Sequence, residues 1–245
     1  MKILLTSIGI LGVRENGVKV DANINEDNGF IDTIKNNLMR TGTFVFVSSD
    51  PTEYEHNDHS CKLNVNAFKK IGINFKKYIV VDDRNANNLE NIFSDADMIF
   101  LQGGDVYVQN QFFAKINLKK YLTKTDALII AQSAGSMNLS NIVYIYPEDD
   151  TQLDYPKYIY GMGFTDVTII PHFNVDKGCD YIPDTINLID DYFKPDSKYM
   201  TLYAIPDGTY IAVVDNNTTI YGECYMINNG IISKACDKNK SIKLL

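Results

Sequence analysis

Apolar residues in this chain fall into short continuous runs separated by stretches with helical spacing. Thr43-Phe44-Val45-Phe46-Val47 is apolar at nearly every position and stops at Ser48-Ser49-Asp50-Pro51, as a strand buried on both faces does. Before it, Phe30, Ile31, Ile34 and Leu38 recur at helical intervals and run out before Gly42, a residue suited to a helix end. After it, Leu63, Ala67, Phe68 and Ile71 repeat the pattern and end at Gly72. Strand-like runs follow at Tyr78-Ile79-Val80-Val81, Met98-Ile99-Phe100-Leu101 and Ala127-Leu128-Ile129-Ile130-Ala131. Helical segments lie between them, around Leu89 to Phe93 and through Phe112, Phe113, Ile116 and Tyr121. Met1-Lys2-Ile3-Leu4-Leu5 reads as a first buried strand. Strands alternating with helices of this length require crossovers, which are right-handed and cover a parallel sheet on both faces.

The last third changes character. Val167-Thr168-Ile169-Ile170 is strand-like, and Ile182, Ile186, Ile189 and Phe193 have helical spacing with Pro183 tolerated in the first turn. From Tyr199 onward the pattern is strand, turn, strand, with hairpin signals at Asp215-Asn216-Asn217 and Asn228-Asn229-Gly230. No linker-like stretch and no repeat divides the chain. The expectation is one α/β domain over residues 1–245: a mostly parallel sheet flanked by helices on both faces, with antiparallel strands at the C-terminal end.

Composition narrows the function. With 45% hydrophobic and 22% charged residues among 245, the chain is neither disordered nor fibrous. Its 23 basic and 31 acidic residues give a net charge of −8, which opposes general binding to nucleic acid or to an anionic membrane surface. No apolar run reaches bilayer length, and the first residues lack the apolar stretch and cleavage site of a signal peptide, so a cytoplasmic protein is expected. Cys61, Cys179, Cys224 and Cys236 lie far apart with no C-x-x-C pair, which argues against a disulfide-stapled fold or a zinc ribbon. His56 and His59 sit in an acidic stretch read as a solvated loop or helix start rather than a metal site. Asp83 and Arg84, after the third strand, read as a plain loop. Neither a metal nor an organic cofactor is expected, and the sequence leaves the oligomeric state open.

The chemistry concentrates in Ile129-Ile130-Ala131-Gln132-Ser133-Ala134-Gly135-Ser136. An apolar strand runs directly into Ser-Ala-Gly and then into a helical stretch through Met137 and Leu139, the arrangement of a nucleophile elbow. A tight strand-to-helix turn pushes the Ser133 hydroxyl out at the sheet edge, and the Ala134 amide falls at a helix N-terminus, where it can meet an oxyanion. The same letters also fit a loop that only caps a helix. A second loop, Leu101-Gln102-Gly103-Gly104-Asp105, follows another strand; two glycines let the backbone approach a substrate, and Gly104 is the candidate second oxyanion donor. His172, in Ile169-Ile170-Pro171-His172-Phe173-Asn174, ends an apolar strand downstream of the serine and is the candidate general base. Glu148, Asp149 and Asp150 lie between serine and histidine, and each is a candidate to orient the imidazole.

Together these motifs resemble the serine peptidases that include aspartyl dipeptidase (peptidase E) and cyanophycinase. The resemblance runs from the first strand to about Gly222. It rests on Gly103-Gly104-Asp105, Gln132-Ser133-Ala134-Gly135-Ser136 and Pro171-His172-Phe173 in the family's order, with Ile205-Pro206-Asp207-Gly208-Thr209-Tyr210 and Ile220-Tyr221-Gly222 similar to its closing strands. It implies a sheet flanked by helices, like that of class I glutamine amidotransferases but with serine in place of cysteine. It implies Ser133 as nucleophile, His172 as base, and Gly104 with Ala134 as oxyanion hole. The third triad member falls at Glu148 by ungapped spacing and at Asp149 with one inserted residue.

Two departures bear on specificity. Family members that cleave after an N-terminal aspartate carry a Gly/His-rich stretch with an arginine soon after the base. Here that region reads Asn174-Val175-Asp176-Lys177-Gly178-Cys179-Asp180, so an acidic side chain lacks its bidentate partner there. Asp105 replaces an asparagine often found after the glycine pair; with Gly103 it is a candidate substrate contact, or it only caps the next helix. The expected activity is hydrolysis of small peptides through an acyl-enzyme. The alternatives are a cyanophycinase-like or other serine hydrolase with a different substrate, and a catalytically silent binding protein on the same fold.

Overall fold

The computed structural model of the chain describes residues 1–148, 155–179, 182, 186–215 and 217–244. Strand β1 (Lys2–Thr6) leads into a hairpin of β2 (Ile10–Glu15) and β3 (Val18–Ile24), then α1 (Phe30–Asn37), β4 (Thr43–Val47), α2 (Tyr54–Lys70) and β5 (Lys77–Val81). Next come α3 (Leu89–Ser94), β6 (Met98–Leu101), α4 (Val106–Lys115), α5 (Leu118–Leu122), β7 (Leu128–Gln132) and α6 (Ala134–Leu139). β1, β7, β6, β4 and β5 lie side by side in that order, all parallel.

Strand alternation sorts the apolar runs onto two faces. Leu4, Phe44, Phe46, Phe100 and Ile130 pack with Ile34 of α1 and Phe68 of α2. Ile3, Val45, Ile99 and Ile129 pack on the other face with Leu89, Phe112 and Leu122 of α3, α4 and α5. The single helix expected through Phe112 and Tyr121 is two, because Asn117 takes a left-handed conformation at φ 50° and breaks it.

After α6 the chain forms a ribbon of β8 (Ile142–Tyr144) and β9 (Tyr158–Tyr160), then β10 (Thr168–Ile170) and a short pair of β11 (Phe173–Asn174) and β12 (Gly178–Cys179). A π-helical turn, Ile189–Phe193, runs into α7 (Lys194–Asp196), and among the described residues this is where the helix expected from Ile182 is found; Pro183 lies outside the described residues. The remaining strands are β13 (Leu202–Ala204), β14 (Tyr210–Val214), β15 (Asn217–Tyr221), β16 (Cys224–Asn228), β17 (Ile231–Cys236) and β18 (Ser241–Leu244). The β16–β17 turn has Asn229 at φ 50° and Gly230 at φ 78°, the left-handed pair that a two-residue hairpin needs.

These late strands divide between two sheets. β14, β15 and β18 extend the main sheet antiparallel from β1, making eight strands. β10, β13, β16 and β17 form a second sheet, with β10 parallel to β13. The strand before His172 and the strand before Ser133 therefore belong to different sheets. No helix among the described residues is long and apolar enough to cross a membrane.

Candidate active site

Ser133 sits between the end of β7 and the start of α6, at φ 51° and ψ −117°. A non-glycine residue in such a region costs about 1–3 kcal/mol and persists only where its surroundings hold it. Hydrogen bonds to β1 and within α6 hold it there. The Ser133 amide donates to Thr6 O at 3.0 Å, and Met137 N donates to Ser133 O at 3.0 Å. The buried Ser136 hydroxyl donates to Thr6 O and Ala131 O, both at 2.9 Å, tying α6 to β1 and β7. At Gly135 a Cβ would lie 2.6 Å from Leu101 O, so the small residue is needed for α6 to pass the end of β6.

The glycine pair is explained the same way. Neither Gly103 nor Gly104 has positive φ. A Cβ on Gly103 would lie 3.1 Å from the Ser133 Cβ, and one on Gly104 would lie 2.5 Å from Ser49 Oγ. Close approach, not backbone conformation, makes these positions glycine. Asp105 caps α4: its Oδ1 accepts from Tyr107 N at 2.9 Å and Val108 N at 2.8 Å, while Oδ2 accepts from the Tyr155 hydroxyl at 3.1 Å.

His172 follows β10 in a left-handed conformation, φ 56°, and its Nε2 lies 2.9 Å from Ser133 Oγ. Its Nδ1 lies 2.7 Å from Asp207 Oδ1. The carboxylate beside His172 in the structure is therefore Asp207, whereas ungapped family spacing had put the acid at Glu148, with Asp149 and Asp150 also candidates. β8 pairs with β9 in its own ribbon, and Glu148 stands exposed beyond it; Asp149 and Asp150 lie outside the described residues. The parallel register of β10 and β13, Ile170 against Ala204, instead delivers two chain segments to one place, with Ile205 N donating to Ile170 O at 2.9 Å. His172 and Asp207 stand just past that pairing.

Sequence reasoning also missed Ser7, one residue past β1. Its buried hydroxyl donates to Asp207 Oδ1 at 2.7 Å and accepts the His172 backbone N–H at 2.7 Å. A carboxylate only accepts, so Nδ1 carries the proton and Nε2 is left to accept the Ser133 O–H. The side chains are 15% exposed for His172 and 31% for Asp207, which leaves the imidazole screened and the acid partly wet.

A cavity of about 390 Å³ opens over Ser133 and His172, with Gly103 and Gly104 in its wall. The β2–β3 hairpin contributes Ile10, Gly12, Arg14 and Lys19 to it, and α2 contributes His56, Ser60 and Asn64. The hairpin was also missed in the sequence, although Asn16-Gly17 between alternating residues is a strong hairpin signal; here Asn16 has φ 49° and Gly17 φ 80°. The His56–His59 segment is helical, within α2, and His59 Nε2 lies 2.7 Å from Lys19 O. Among the described residues no group of three His, Cys, Asp or Glu is placed to hold a metal. Asp83 and Arg84 do not line the cavity: Asp83 pairs with Lys115 at 2.7 Å, and Arg84 bridges Asp58 and Asp82 at 2.6 and 2.7 Å.

The model of peptidase family S51 matches residues 22–221, a span that holds the glycine pair, the elbow, His172 and Asp207. The chain belongs to peptidase family S51. Solved structures agree with the fold of this S51 chain. A peptidase from an acI-B1 Actinobacterium is similar with a TM-score of 0.66 at 18% identity, covering 99% of this chain and 96% of that one. A putative peptidase E protein from Listeria monocytogenes EGD-e is similar with a TM-score of 0.50 at 14% identity, covering 99% and 97%. No curated protein is significantly similar in sequence to this S51 chain.

Proposed function

We propose that this S51 member is a serine peptidase that hydrolyses small peptides through an acyl-enzyme, with residues 1–245 acting as one hydrolytic domain. The observation that carries the reading is the relay of Asp207, His172 and Ser133, joined at 2.7 and 2.9 Å across three separate chain segments. His172 Nε2 takes the Ser133 proton as Oγ attacks the scissile carbonyl. Asp207 holds the tautomer and stabilises the imidazolium, and Ser7 fixes Asp207. The amides of Gly104 and Ala134 receive the oxyanion; Ala134 opens α6, so its N–H has no partner within the helix.

The imidazolium then returns its proton to the leaving amine, whose departure leaves an ester on Ser133. Water, deprotonated by His172, attacks that ester, and collapse of the second tetrahedral intermediate releases the acid and restores the serine. The cavity of about 390 Å³ suits a small ligand rather than a long chain, which supports short peptides as substrates. The test is hydrolysis of a dipeptide library by wild type and Ser133→Ala side by side. Cleavage by wild type alone is expected; cleavage by Ser133→Ala at the native rate contradicts the mechanism.

A further inference from the structure

The loop that carries Gly103 and Gly104 is short of its own restraints. Both positions are glycine because Ser133 and Ser49 come too close for a Cβ, and two glycines in a row leave the peptide planes free to turn. A backbone donor on such a loop points at an oxyanion only if something else holds it. Among the described residues neither Gly103 N nor Gly104 N has a hydrogen-bond partner, so these N–H groups do not fix the loop themselves.

What holds it is a buried side chain of the next helix. Gln109 of α4 is fully buried, and its Nε2 donates to Gln102 O at 2.6 Å. Gln109 Oε1 accepts from Asn138 Nδ2 at 3.1 Å; Asn138 is equally buried and lies on α6, the helix that follows Ser133. Asn138 Nδ2 also donates to Val106 O at 3.1 Å, and its Oδ1 accepts from Asn110 Nδ2 at 2.9 Å. Gln109 and Asn138 thus each give an N–H to one neighbour and an oxygen to another. Turning either carboxamide over would set donor against donor and acceptor against acceptor. A buried polar network satisfied in this way is rigid.

The place where this network grips the loop decides its effect. A trans peptide plane points its C=O and its N–H in opposite directions. With the Gln102 carbonyl drawn to Gln109, the Gly103 N–H points away from α4. Gln102, Gly103 and Gly104 line the cavity over Ser133, while among the described residues none of α4 does, so away from α4 is toward the cavity. The rest of Gln102 is fixed on the β4 side: its N–H donates to Val47 O and its Oε1 accepts from Ser49 N, both at 3.1 Å. That leaves the peptide after Gln102 to turn, and Gln109 stops it. Turned over, this peptide would present a carbonyl to the cavity, where its negative end repels an oxyanion instead of receiving one.

We propose that Gln109, held by Asn138, is a positioning residue for the oxyanion hole: it keeps the Gln102 carbonyl out of the cavity and the N–H groups of the glycine loop turned into it. The same carboxamides tie the two halves of the hole together, since Gln109 grips the segment before Gly104 and Asn138 belongs to the helix that Ala134 opens. Neither side chain lines the cavity, so both act through the backbone rather than on the substrate. The proposal rests on the peptidase reading of Ser133 and names the residues that set its oxyanion donors.

The test is Gln109→Met, which keeps the length of the side chain and removes its hydrogen bonds. Labelling of Ser133 by a fluorophosphonate uses the oxyanion hole and needs no knowledge of the substrate. Its second-order rate is expected to fall about 10²-fold in Gln109→Met, the order of one lost oxyanion donor. For any dipeptide that wild type cleaves, the loss is expected in kcat with KM within about threefold, because a misplaced donor weakens the transition state and not the ground state. The pH of half-maximal labelling is expected to match wild type, since His172 and Asp207 keep their contacts. Ser140→Ala separates positioning from plain stability: it removes another buried bond at the end of α6, to Val167 O at 2.7 Å. That variant is expected to melt lower and to label within about threefold of wild type.

Thermal melting reports whether Gln109→Met has folded. A folded Gln109→Met protein that labels at the wild-type rate overturns the positioning role, and so does an equal loss in Ser140→Ala. If Gln109→Met does not fold, the crystal structure of the wild-type phosphonyl adduct decides. The role requires the phosphonyl oxygen within hydrogen-bond distance of Gly104 N and Ala134 N, with the Gln102 carbonyl still on Gln109. An oxygen bound elsewhere, or a Gln102 carbonyl turned into the cavity, overturns it. Labelling of wild type without cleavage of any dipeptide overturns the peptidase reading alone, and absence of labelling at Ser133 overturns both.

Discussion

Replacing Asp207 with asparagine keeps the size of the side chain and removes its charge. In the native site the carboxylate is 2.7 Å from His172 Nδ1 and also accepts the Ser7 hydroxyl at 2.7 Å. When Ser133 attacks, the imidazole becomes a cation beside that carboxylate. Two unit charges about 4 Å apart interact by about 4 kcal/mol at an effective dielectric near 20. Asp207 is 31% exposed, which screens part of this, so about 3–4 kcal/mol is lost from the transition state. At about 1.4 kcal/mol per decade that is a fall of about 10²–10³ in kcat, and a misplaced tautomer deepens it toward about 10⁴. The assay is kcat for the best dipeptide with wild type, Asp207→Asn and Glu148→Gln in parallel. Glu148→Gln is expected to stay within about threefold of wild type, the effect of a substitution outside the relay. A loss of about 10³ in Glu148→Gln with Asp207→Asn near wild type refutes the reasoning.

Four further outcomes follow from contacts at the elbow and from burial elsewhere in the fold. Ser7→Ala strips Asp207 of a donor and the His172 amide of its acceptor, so kcat drops about tenfold and stability falls by about 1–3 kcal/mol in urea titration. Gly135→Ala forces a Cβ to within 2.6 Å of Leu101 O, so it destabilises by about 1–3 kcal/mol and displaces the elbow, read as a lower melting temperature together with lower kcat. Burial pushes the Cys61 and Cys224 thiols up to about 12, so iodoacetamide at neutral pH modifies them in urea but not in the native protein. Those raised values also set a sign: the folded state keeps protons that the unfolded thiols lose above about 8.5, so stability falls as pH rises from there toward 12, seen as a lower urea midpoint at pH 10 than at pH 7.

Local signals carried much of the architecture. The run from Ile129 to Ser136 contains a buried strand, a small-residue turn and a helix start in sequence, and the structure has β7, Ser133 and α6 there. Asp207 was illegible as a partner of His172 because nothing local links residues 35 apart; the parallel pairing of β10 with β13 does so, and that second sheet has no separate signature in the sequence. Chain order between serine and histidine offered Glu148, Asp149 and Asp150, and ungapped family spacing singled out Glu148, which the structure leaves exposed beyond the β8–β9 ribbon. The β2–β3 hairpin was legible in principle from Asn16-Gly17, but its strands are mostly solvent-facing, so they lack the continuous apolar runs that marked the others.

The central claim is that Ser133 is a nucleophile activated by His172 and Asp207. Its most direct test is mass spectrometry of the protein after reaction with a fluorophosphonate at pH 7.5, comparing wild type, Ser133→Ala, His172→Gln and Asp207→Asn. The account predicts one adduct on Ser133 in wild type, none in Ser133→Ala, and labelling slowed by orders of magnitude in the other two. An adduct on another residue, or labelling of Ser133 at the wild-type rate without His172, contradicts it.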